Sequence, residues 1–405
     1  MRRGSNLPAV GSYNQTLVLD LIRRSPEGLS RVELAERTGL SPQTLSNVTR
    51  RLTNEGLILE AGKVISGPGK PRTLLALDPR SRYAIGVHLD PSVDTIMIVD
   101  MSGRVIAQAE HPPGQTQDAT RLVAAMAGAV RAIVDRAGID TDRILGIGVA
   151  APGPVDTASG RLLDPPLLPA WHGVDLTARL LDETGMPTVL EKDVTAAVVG
   201  EQWLAYGDEP GDTLFFYYGA GIGAGLTQSG LPVRGRTGNA GDIAHLGVDA
   251  DGPRCECGAR GCLGTSLEPD ELLREAGLLE GADRPGSADP RPALDRLRGL
   301  AEDGEPRAVA ALEQAARRLA RGLVQINNLL DVDMAVIGGP VWVRLAPVLR
   351  DPLRAALARD TAVRTTGPLR LRDSRGGTDA AAVGAACLLL DRAFTARPTA
   401  LLITE

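Results

Sequence analysis

Apolar residues recur at helical spacing in three short segments near the N-terminus, and each segment has its own boundary signals. The first pattern predicts a helix over 14–24. Ser30, with Glu33 three residues later, forms the capping-box pattern that begins a second short helix. Ser41-Pro42 begins a third, with a serine at the N-cap and proline at the first helical position. The order predicts a helix-turn-helix unit.

The third helix has one apolar and one polar side. Leu45, Val48 and Leu52 form the stripe expected to face the core. The other side presents groups that can reach base edges near the helix start and phosphates further along. These candidate DNA contacts are Gln43, Thr44, Ser46, Asn47, Arg50 and Arg51. The pattern is that of a recognition helix.

A cationic turn follows between two short strand patterns. Residues 57–59 and 73–77 read as strands, and they flank the stiff Gly- and Pro-rich segment 67–72. Lys70 and Arg72 in this segment could enter a minor groove or clamp phosphates. Together with the three helices, the hairpin predicts a winged helix-turn-helix over 1–80.

From residue 83 onward the pattern changes to that of an α/β body. Apolar strand runs at 85–89, 95–99 and 144–149 surround a helical stretch at 122–137. Further on, the strand run Thr213–Tyr218 leads into a glycine-rich turn, and another strand ends at Gly338-Gly339. Two long helical patterns, 307–330 and 380–394, are candidates for contacts between subunits.

Charge separates these two parts of the chain. Lys and Arg outnumber Asp and Glu in the first 80 residues, whereas the whole 405-residue chain has a formal net charge of −6. Any nucleic-acid contact is therefore expected in the head. No stretch approaches the length of a membrane span, and no signal peptide is evident, so a cytoplasmic protein without a membrane partner is expected.

Three of the four cysteines are close together. Cys255, Cys257 and Cys262 offer three thiolates within one short segment, and the intervening glycines allow the loop to fold back. This spacing indicates a metal site rather than a disulfide framework. Cys387, in an apolar run, is expected in the core.

At this point the chain resembles the ROK family of repressors, open reading frames and sugar kinases, over nearly its whole length. The segments that carry the resemblance are 152–156, 168–171, 192–193, 219–225, 240–245, 255–262 and 337–339. The resemblance implies an α/β fold of the actin-like ATPase (ribonuclease-H-like) type, duplicated and preceded by the winged head. The expected subdomains are 81–205, to which a C-terminal helix 378–396 returns, and 206–377, which contains the metal site.

The resemblance also supplies the fourth metal ligand. His245 matches the family's zinc histidine and would complete a closed tetrahedral site with Cys255, Cys257 and Cys262. Such a site has no open position for water, so the expected Zn²⁺ is structural.

The phosphate-binding turns of the family's kinases are altered. Where kinases have an Asp-x-Gly-Gly-Thr turn, this chain has His88-Leu89-Asp90-Pro91-Ser92, so a carboxylate and an imino acid replace groups that hold phosphate. Ala220 stands where a second turn has threonine. Asp193 matches the catalytic base, but a base cannot bring about phosphoryl transfer when no phosphate donor is bound. We therefore expect no kinase activity and interpret Asp193 as a remnant base that binds an effector.

The implied sugar pocket is altered as well. The candidate effector-binding residues are Lys192, Asp193, Asp242 and His245, while Gly264 replaces a glutamate and Leu167 an asparagine. Lys192 has two interpretations. It could pair with an anionic ligand, which predicts a sugar phosphate or acidic sugar, or it could neutralise Asp193 and Asp242 in an empty pocket, which predicts no sugar response.

These features predict a sequence-specific transcriptional regulator of carbohydrate-related genes, most simply a repressor, that binds a double-stranded operator. A homodimer or homotetramer is expected, because one recognition helix reads too few bases. Two alternatives remain: a bifunctional sugar kinase and regulator, and a DNA-binding protein that responds to no ligand.

Overall fold

The structure is a computed structural model that describes residues 7–64, 71–112, 118–166, 168–205, 211–279, 289–360, 362 and 369–396. Its N-terminal part has the predicted winged helix-turn-helix arrangement. The elements are α1 (Leu7–Arg23), β1 (Leu29–Ser30), α2 (Arg31–Thr38), α3 (Pro42–Asn54), β2 (Ile58–Val64) and β3 (Arg72–Leu77), and the sheet order is β1-β3-β2.

The local signals of the head behave as expected. Ser30 and Glu33 form a complete capping box, with the Ser30 amide donating to the Glu33 carboxylate at 2.8 Å. The Ser41 hydroxyl accepts the Thr44 amide at 3.2 Å at the start of α3. Both caps satisfy backbone groups that a helix start leaves without partners.

The first sheet of the body combines antiparallel and parallel pairing. Its order is β10-β7-β4-β5-β6, with β4–β5–β6 antiparallel and β4, β7 and β10 parallel. The elements of this part are β4 (Tyr83–His88), β5 (Asp94–Asp100), β6 (Val105–His111), α4 (Ala119–Ala137), β7 (Ile144–Ala151), β8 (Val155–Asp156), β9 (Arg161–Leu162), α5 (Leu176–Thr184), β10 (Thr188–Lys192) and α6 (Asp193–Trp203).

The second sheet also combines antiparallel and parallel pairing. Its order is β13-β12-β11-β14-β15, and the pairing is parallel from β11 through β14 to β15. Its elements are β11 (Thr213–Tyr218), β12 (Ile222–Gln228), β13 (Leu231–Pro232), α7 (Leu263–Leu267), α8 (Pro269–Glu275), α9 (Arg291–Glu302), α10 (Pro306–Leu330), β14 (Met334–Gly338), α11 (Pro340–Arg359) and β15 (Arg370–Asp373). The prolines at 347 and 352 lie inside α11, a helix that the sequence pattern did not indicate because proline usually ends helices.

Two helices cross at the centre of the body. The last helix, α12 (Ala380–Phe394), packs against α6 and against β4, β5 and β7 of the first sheet. The crossing depends on glycine, because a Cβ at Gly384 would lie 2.1 Å from the Ala196 carbonyl oxygen. Gly200 approaches Gly384 from α6, where an added Cβ would lie 2.8 Å from the Gly384 Cα. The absence of side chains lets the two backbones touch.

The head shares apolar contacts with the body. Its buried core includes Leu34, Leu45 and Leu52, and Met101 and Phe394 from the body pack against the same cluster. No helix within the described ranges is long and apolar enough to cross a bilayer.

Candidate functional site

The polar side of α3 faces solvent. Leu45, Thr49 and Leu52 are buried, and Val48 is half-buried rather than fully enclosed. Of the predicted DNA contacts on this helix, Thr44 is half-buried and the others are exposed; these are Gln43, Ser46, Asn47, Arg50 and Arg51. Their exposure leaves the face available to a partner.

Both arginines of this face have partners close to them in the sequence. Arg50 donates to the Asn47 side-chain oxygen at 2.8 Å, and Arg51 pairs with Glu55 at 2.9 Å. Both pairs are exposed, so they are weak and can be exchanged for contacts with another molecule.

The wing is a two-stranded ribbon next to α3. β2 and β3 pair antiparallel from Ile58 opposite Leu77 to Val64 opposite Arg72, with a bulge near Gly62. Arg72 is exposed at the end of this ribbon, and so is Lys63, a further cation that the sequence interpretation missed. Lys70 lies outside the described residues.

The first altered phosphate turn folds onto its own carboxylate. The buried Asp90 accepts hydrogen bonds from the Ser92 amide at 2.9 Å and from the Ser92 hydroxyl at 2.5 Å. The turn therefore holds the side chain of Asp90 in place. Pro91 contributes no amide hydrogen to an anion.

A second buried carboxyl follows this turn. Burial and the nearby charge of Asp90 raise the pKa of Asp94 to about 7, against the effect of a backbone hydrogen bond. The Asp94 carboxylate lies 3.9 Å from the ring Nδ1 of His111. The surroundings of Asp94 are therefore poorly suited to further negative charge.

The second altered turn contains a tyrosine that the sequence interpretation missed. The Tyr217 side chain occupies the space beside Gly219, where an added Cβ would lie 2.7 Å from its hydroxyl oxygen. Its ring meets His88 edge-on, with 6.1 Å between the ring centroids. The only signal in the sequence was its position at the end of an apolar strand run that enters the turn with Ala220.

Asp193 and Lys192 lie at the junction of β10 and α6. The Asp193 carboxylate accepts a hydrogen bond from the backbone amide of Val194 at 2.7 Å. Burial raises the pKa of Asp193, and His88 and the Val194 amide oppose this shift.

Lys192 does not pair with the carboxylates expected for it. Its ammonium donates to the main-chain carbonyls of Asn239 and Ala240, at 3.2 Å each, and within the described chain it forms no ion pair with Asp193 or Asp242. The hypothesis of direct neutralisation is thus not what the geometry shows. The ammonium instead connects the first subdomain to segment 234–240.

Further contacts tie that segment across the cleft. The Asn239 side chain forms two hydrogen bonds of 2.8 Å with the Val155 backbone, and Arg234 pairs with the buried Glu191 at 2.6 Å. Each bond joins segment 234–240 to a residue in the part of the chain that forms the first sheet. The segment is therefore fixed to that part of the body.

The remaining candidate effector residues lie on the next loop. Asp242 is exposed and its carboxylate accepts the Ala244 amide at 3.4 Å. Gly264 donates its amide to the Ala244 carbonyl at 2.7 Å, and a Cβ there would lie 3.1 Å from the Ala244 Cβ and carbonyl oxygen. The tight approach leaves little room for the family's glutamate. Leu167 lies outside the described residues.

The candidate metal ligands converge. The ligand atoms of His245, Cys255, Cys257 and Cys262 all lie within 4.8 Å of one another. Cys255 Sγ is 3.4 Å from His245 Nδ1, and the sulfurs of Cys257 and Cys262 are 3.5 Å apart. Three sulfurs and one imidazole nitrogen at such separations suit tetrahedral zinc.

The loop that carries these ligands is anchored to α10. A Cβ at Gly261 would lie 1.5 Å from the Asp249 carbonyl oxygen, so only glycine fits. The Asp249 carboxylate in turn pairs with the buried Arg318 at 2.9 Å and accepts Gln314 at 3.0 Å. Arg318 also pairs with Glu275 at 2.8 Å. The metal loop and the long helix therefore form one connected unit.

Comparisons with known proteins match both parts of the chain. The sequence model of the ROK family matches residues 86–392, and that of the MarR family matches residues 12–62. The chain is 24% identical over 384 residues to the xylose repressor of Bacillus spizizenii, covering 94% of this chain and 96% of that protein. It is 27% identical over 338 residues to the DNA-binding transcriptional dual regulator NagC of Escherichia coli K12, covering 83% of this chain and 82% of NagC.

Solved structures match the same two parts. A ROK family transcriptional regulator, a homologue of the E. coli MLC protein, has a TM-score of 0.74 and 21% identity, covering 95% of this chain and 97% of that one. A ROK family glucokinase from Streptomyces griseus, in complex with glucose and AMPPNP, has a TM-score of 0.63 and 26% identity. The match covers 76% of this chain and 98% of the kinase chain. The regulator thus matches head and body together, whereas the kinase matches a smaller share of the chain.

Proposed function

Because the chain belongs to the ROK family and carries a MarR-type winged helix-turn-helix, we propose that it is a DNA-binding repressor of carbohydrate-related genes. The resemblance and the actin-like α/β fold expected from the sequence are confirmed. The observation that carries the proposal is the exposed polar face of α3 on a head fused to a sugar-kinase-like body. The repressor relatives, which align with head and body together, support it.

In this proposal, α3 enters the major groove and the wing contacts the backbone. Gln43, Ser46 and Asn47 near the start of the helix contact base edges, and Arg50 and Arg51 contact phosphates. Two heads related by symmetry in a homodimer or homotetramer bind a palindromic operator.

Selection of genomic fragments by the full-length protein, followed by sequencing and mobility-shift assays, tests this function. We expect enrichment of a short palindrome near genes for carbohydrate use, with nanomolar to picomolar affinity at physiological salt. Uniform retention of all fragments, or retention of none at low salt, would contradict it.

The altered turns support a regulator without kinase activity. A buried, internally bonded Asp90 occupies the first phosphate turn, and Ala220 has no hydroxyl to offer in the second. Asp193 at the position of the catalytic base and the retained glycine loops are the features that favour a bifunctional kinase. Incubation of the purified protein with ATP, Mg²⁺ and glucose, xylose or N-acetylglucosamine decides between the two, and we expect no sugar-dependent ADP formation.

One helix connects the cleft to the head. α6 begins at Asp193 in the cleft and ends at Trp203, which contacts Arg23 of the head. We therefore place α6 on the route by which ligand in the cleft alters the position of the head. Such coupling requires that the two positions of the head differ in ligand affinity.

The Cys3His cluster is proposed to hold a structural zinc ion. His245, Cys255, Cys257 and Cys262 would be its ligands, and the ion would supply a fixed crosslink within an otherwise irregular loop. Through Asp249 and Arg318 this crosslink stabilises the segment next to Asp242 in the effector cleft.

A further inference from the structure

A cavity of about 370 to 430 Å³ is the size at which the body could hold a second small molecule, and the larger of two such cavities, of ≈ 430 Å³, lies between α10 and α11. Val248 and Asp249 of the metal loop form one side of it. Its apolar lining consists of Ala320, Pro352, Ala355 and Ala356. The volume is in the range of sites that bind small organic molecules. None of the four candidate effector residues lines this cavity, so it is separate from the effector cleft.

Four arginines line the same cavity. Arg317, Arg318 and Arg321 are close together on one side of α10, because residues three and four apart are neighbours on a helix surface, and Arg359 is the last residue of α11. Arg318 is buried and is already paired with two carboxylates, at 2.9 and 2.8 Å. It therefore holds the metal loop, and the other three arginines are the candidates for contact with a ligand.

These three arginines have few partners within the described part of the chain. Arg321 donates one hydrogen bond, to the Val248 carbonyl at 3.2 Å. Arg317 donates to the Gln314 side-chain oxygen at 3.0 and 2.6 Å. The Arg359 side chain forms neither a hydrogen bond nor an ion pair with any residue that the structure describes. A guanidinium has five N–H donors, so several of them remain available in the cavity.

Carboxylates neutralise these three arginines only in part. Apart from Asp249, which is paired with Arg318, the carboxylates that line the cavity are Glu313 and Asp360. Glu313 lies 3.7 Å from Arg317, beyond hydrogen-bond distance, and Asp360 accepts the Ala362 amide at 2.8 Å. Positive charge and unused donors therefore remain beside an apolar surface, which is a combination that suits an organic anion.

We propose that this cavity binds a small phosphate monoester, with its phosphate on Arg317, Arg321 and Arg359 and its organic part against the apolar lining. A phosphate monoester carries about −1.5 to −2 charges and three strong acceptor oxygens, so it can bind three guanidinium groups at once. A carboxylate has only two oxygens. Arginine is also well suited to phosphate because its planar donors can bind two oxygens together. The site follows from the cavity and does not rest on the proposed function.

Calorimetric titration of the full-length protein at low salt tests the site, with glucose 6-phosphate, glycerol 3-phosphate and inorganic phosphate as probes. We expect both esters to bind, more weakly as potassium chloride is added, because salt screens exposed charges. Inorganic phosphate should bind several-fold more weakly, since it cannot bury the apolar lining. Absence of binding by both esters would overturn the proposal. Inorganic phosphate that binds as tightly as the esters would indicate an anion site only, and would also overturn it.

Arg359→Ala is the decisive variant, because no described residue is bonded to this side chain and the fold should not depend on it. We expect it to weaken ester binding at least about tenfold, the effect of losing one charge-assisted contact. Arg359→Lys should restore part of the affinity, since it keeps the charge but not the paired donors. Arg354→Ala is the control on the same helix, at an arginine that pairs with Asp351 and does not line the cavity. Unchanged ester binding in Arg359→Ala would contradict the assignment.

Hydrogen exchange locates the bound ester independently. Because Arg321 is bonded to the Val248 carbonyl, a saturating ester should slow exchange in the metal loop and in the last turn of α11. Slower exchange at the junction of β10 and α6 instead would place the ester in the effector cleft and overturn the proposal. Operator binding is measured on the same preparation. Intact operator binding without ester binding removes only this inference and leaves the proposed function standing.

Discussion

The guanidinium of Arg23 lies over the indole ring of Trp203, with 4.1 Å between its central carbon and the ring centroid. It also donates a hydrogen bond to the Trp203 carbonyl oxygen and pairs with Asp20 on its own helix. Trp203 is fixed in turn by its indole nitrogen, which donates to the Met101 carbonyl at 3.2 Å. The last residue of the helix that begins in the effector cleft is thereby bonded to the DNA-binding head.

Replacing Arg23 by alanine is expected to loosen the head from the body. The change removes a buried cation–π contact and a charge-assisted hydrogen bond, together worth about 2 kcal/mol or more. Hydrogen exchange should rise in α1 and around Met101, while α3 remains protected. Arg24→Ala is the control, because Arg24 pairs with Asp20 and has no bond to Trp203. Equal exchange in both variants would argue against the link.

Replacing a helical glycine by alanine should have opposite effects on stability at the crossing of α6 and α12 and at an open position in α9. Gly384→Ala places a Cβ 2.1 Å from a carbonyl oxygen, and we expect a loss of about 2 kcal/mol or more in the free energy of unfolding. Gly299→Ala in α9 has nothing within 4 Å and should stabilise by up to about 1 kcal/mol. Urea denaturation of both variants measures the difference. An unchanged free energy of unfolding in Gly384→Ala would show that the two helices are not in close contact.

Metal analysis tests the Cys3His cluster. The purified protein is expected to carry about one zinc ion per chain, and Cys257→Ser should lower the zinc affinity by more than about 100-fold because it removes a ligand. Cys387→Ser, at a thiol buried in the core whose pKa is raised by burial, should keep the metal. Zinc retained by Cys257→Ser at full stoichiometry would contradict the assigned ligands.

Asp94 predicts a pH-dependent stability. Its pKa is raised to about 7 in the folded protein, so the neutral carboxyl stabilises the fold below the unfolded value near 4, and this contribution is lost as pH rises through 7. Asp94→Asn should therefore be more stable than the unaltered protein at pH 8, by up to about 4 kcal/mol, and this advantage should shrink to less than about 2 kcal/mol at pH 5. Denaturation midpoints at both pH values test this, with Asp351→Asn as the exposed control. A pH-independent difference would contradict the shift.

The arginines of α3 predict a change in salt dependence. Arg50→Ala should weaken binding to all DNA sequences alike and lower the slope of log affinity against log salt by about 1, the contribution of one phosphate contact. Asn47→Ala should instead relax sequence preference, with a cost of about 1–3 kcal/mol on the preferred operator. Arg354→Ala on α11 serves as the control for both. Unchanged binding in both head variants would exclude α3 as the recognition helix.

The sequence by itself determined the head and the metal loop, because their signals are local. Serine N-caps, a capping box and closely spaced cysteines act over a few residues, and each was found where the pattern predicted it. The strands of the wing differ in their bounds: the pattern indicated 57–59 and 73–77, and the structure has Ile58–Val64 and Arg72–Leu77. The motif segments of the body were also sufficient to indicate its family and fold, which the comparisons confirm. The roles of the individual site residues remain predictions.

Only the tertiary structure decided how distant residues meet. Arg23 and Trp203 are 180 positions apart, and no pattern on either helix indicates the other. Lys192 has carbonyl partners on segment 234–240 instead of the adjacent carboxylate, because the fold places that backbone next to its ammonium. Tyr217 looked like part of an apolar strand until the fold placed its side chain beside Gly219 and the ring of His88. Local patterns define single elements, whereas the charge and hydrogen bonding of a cleft depend on which elements pack around it.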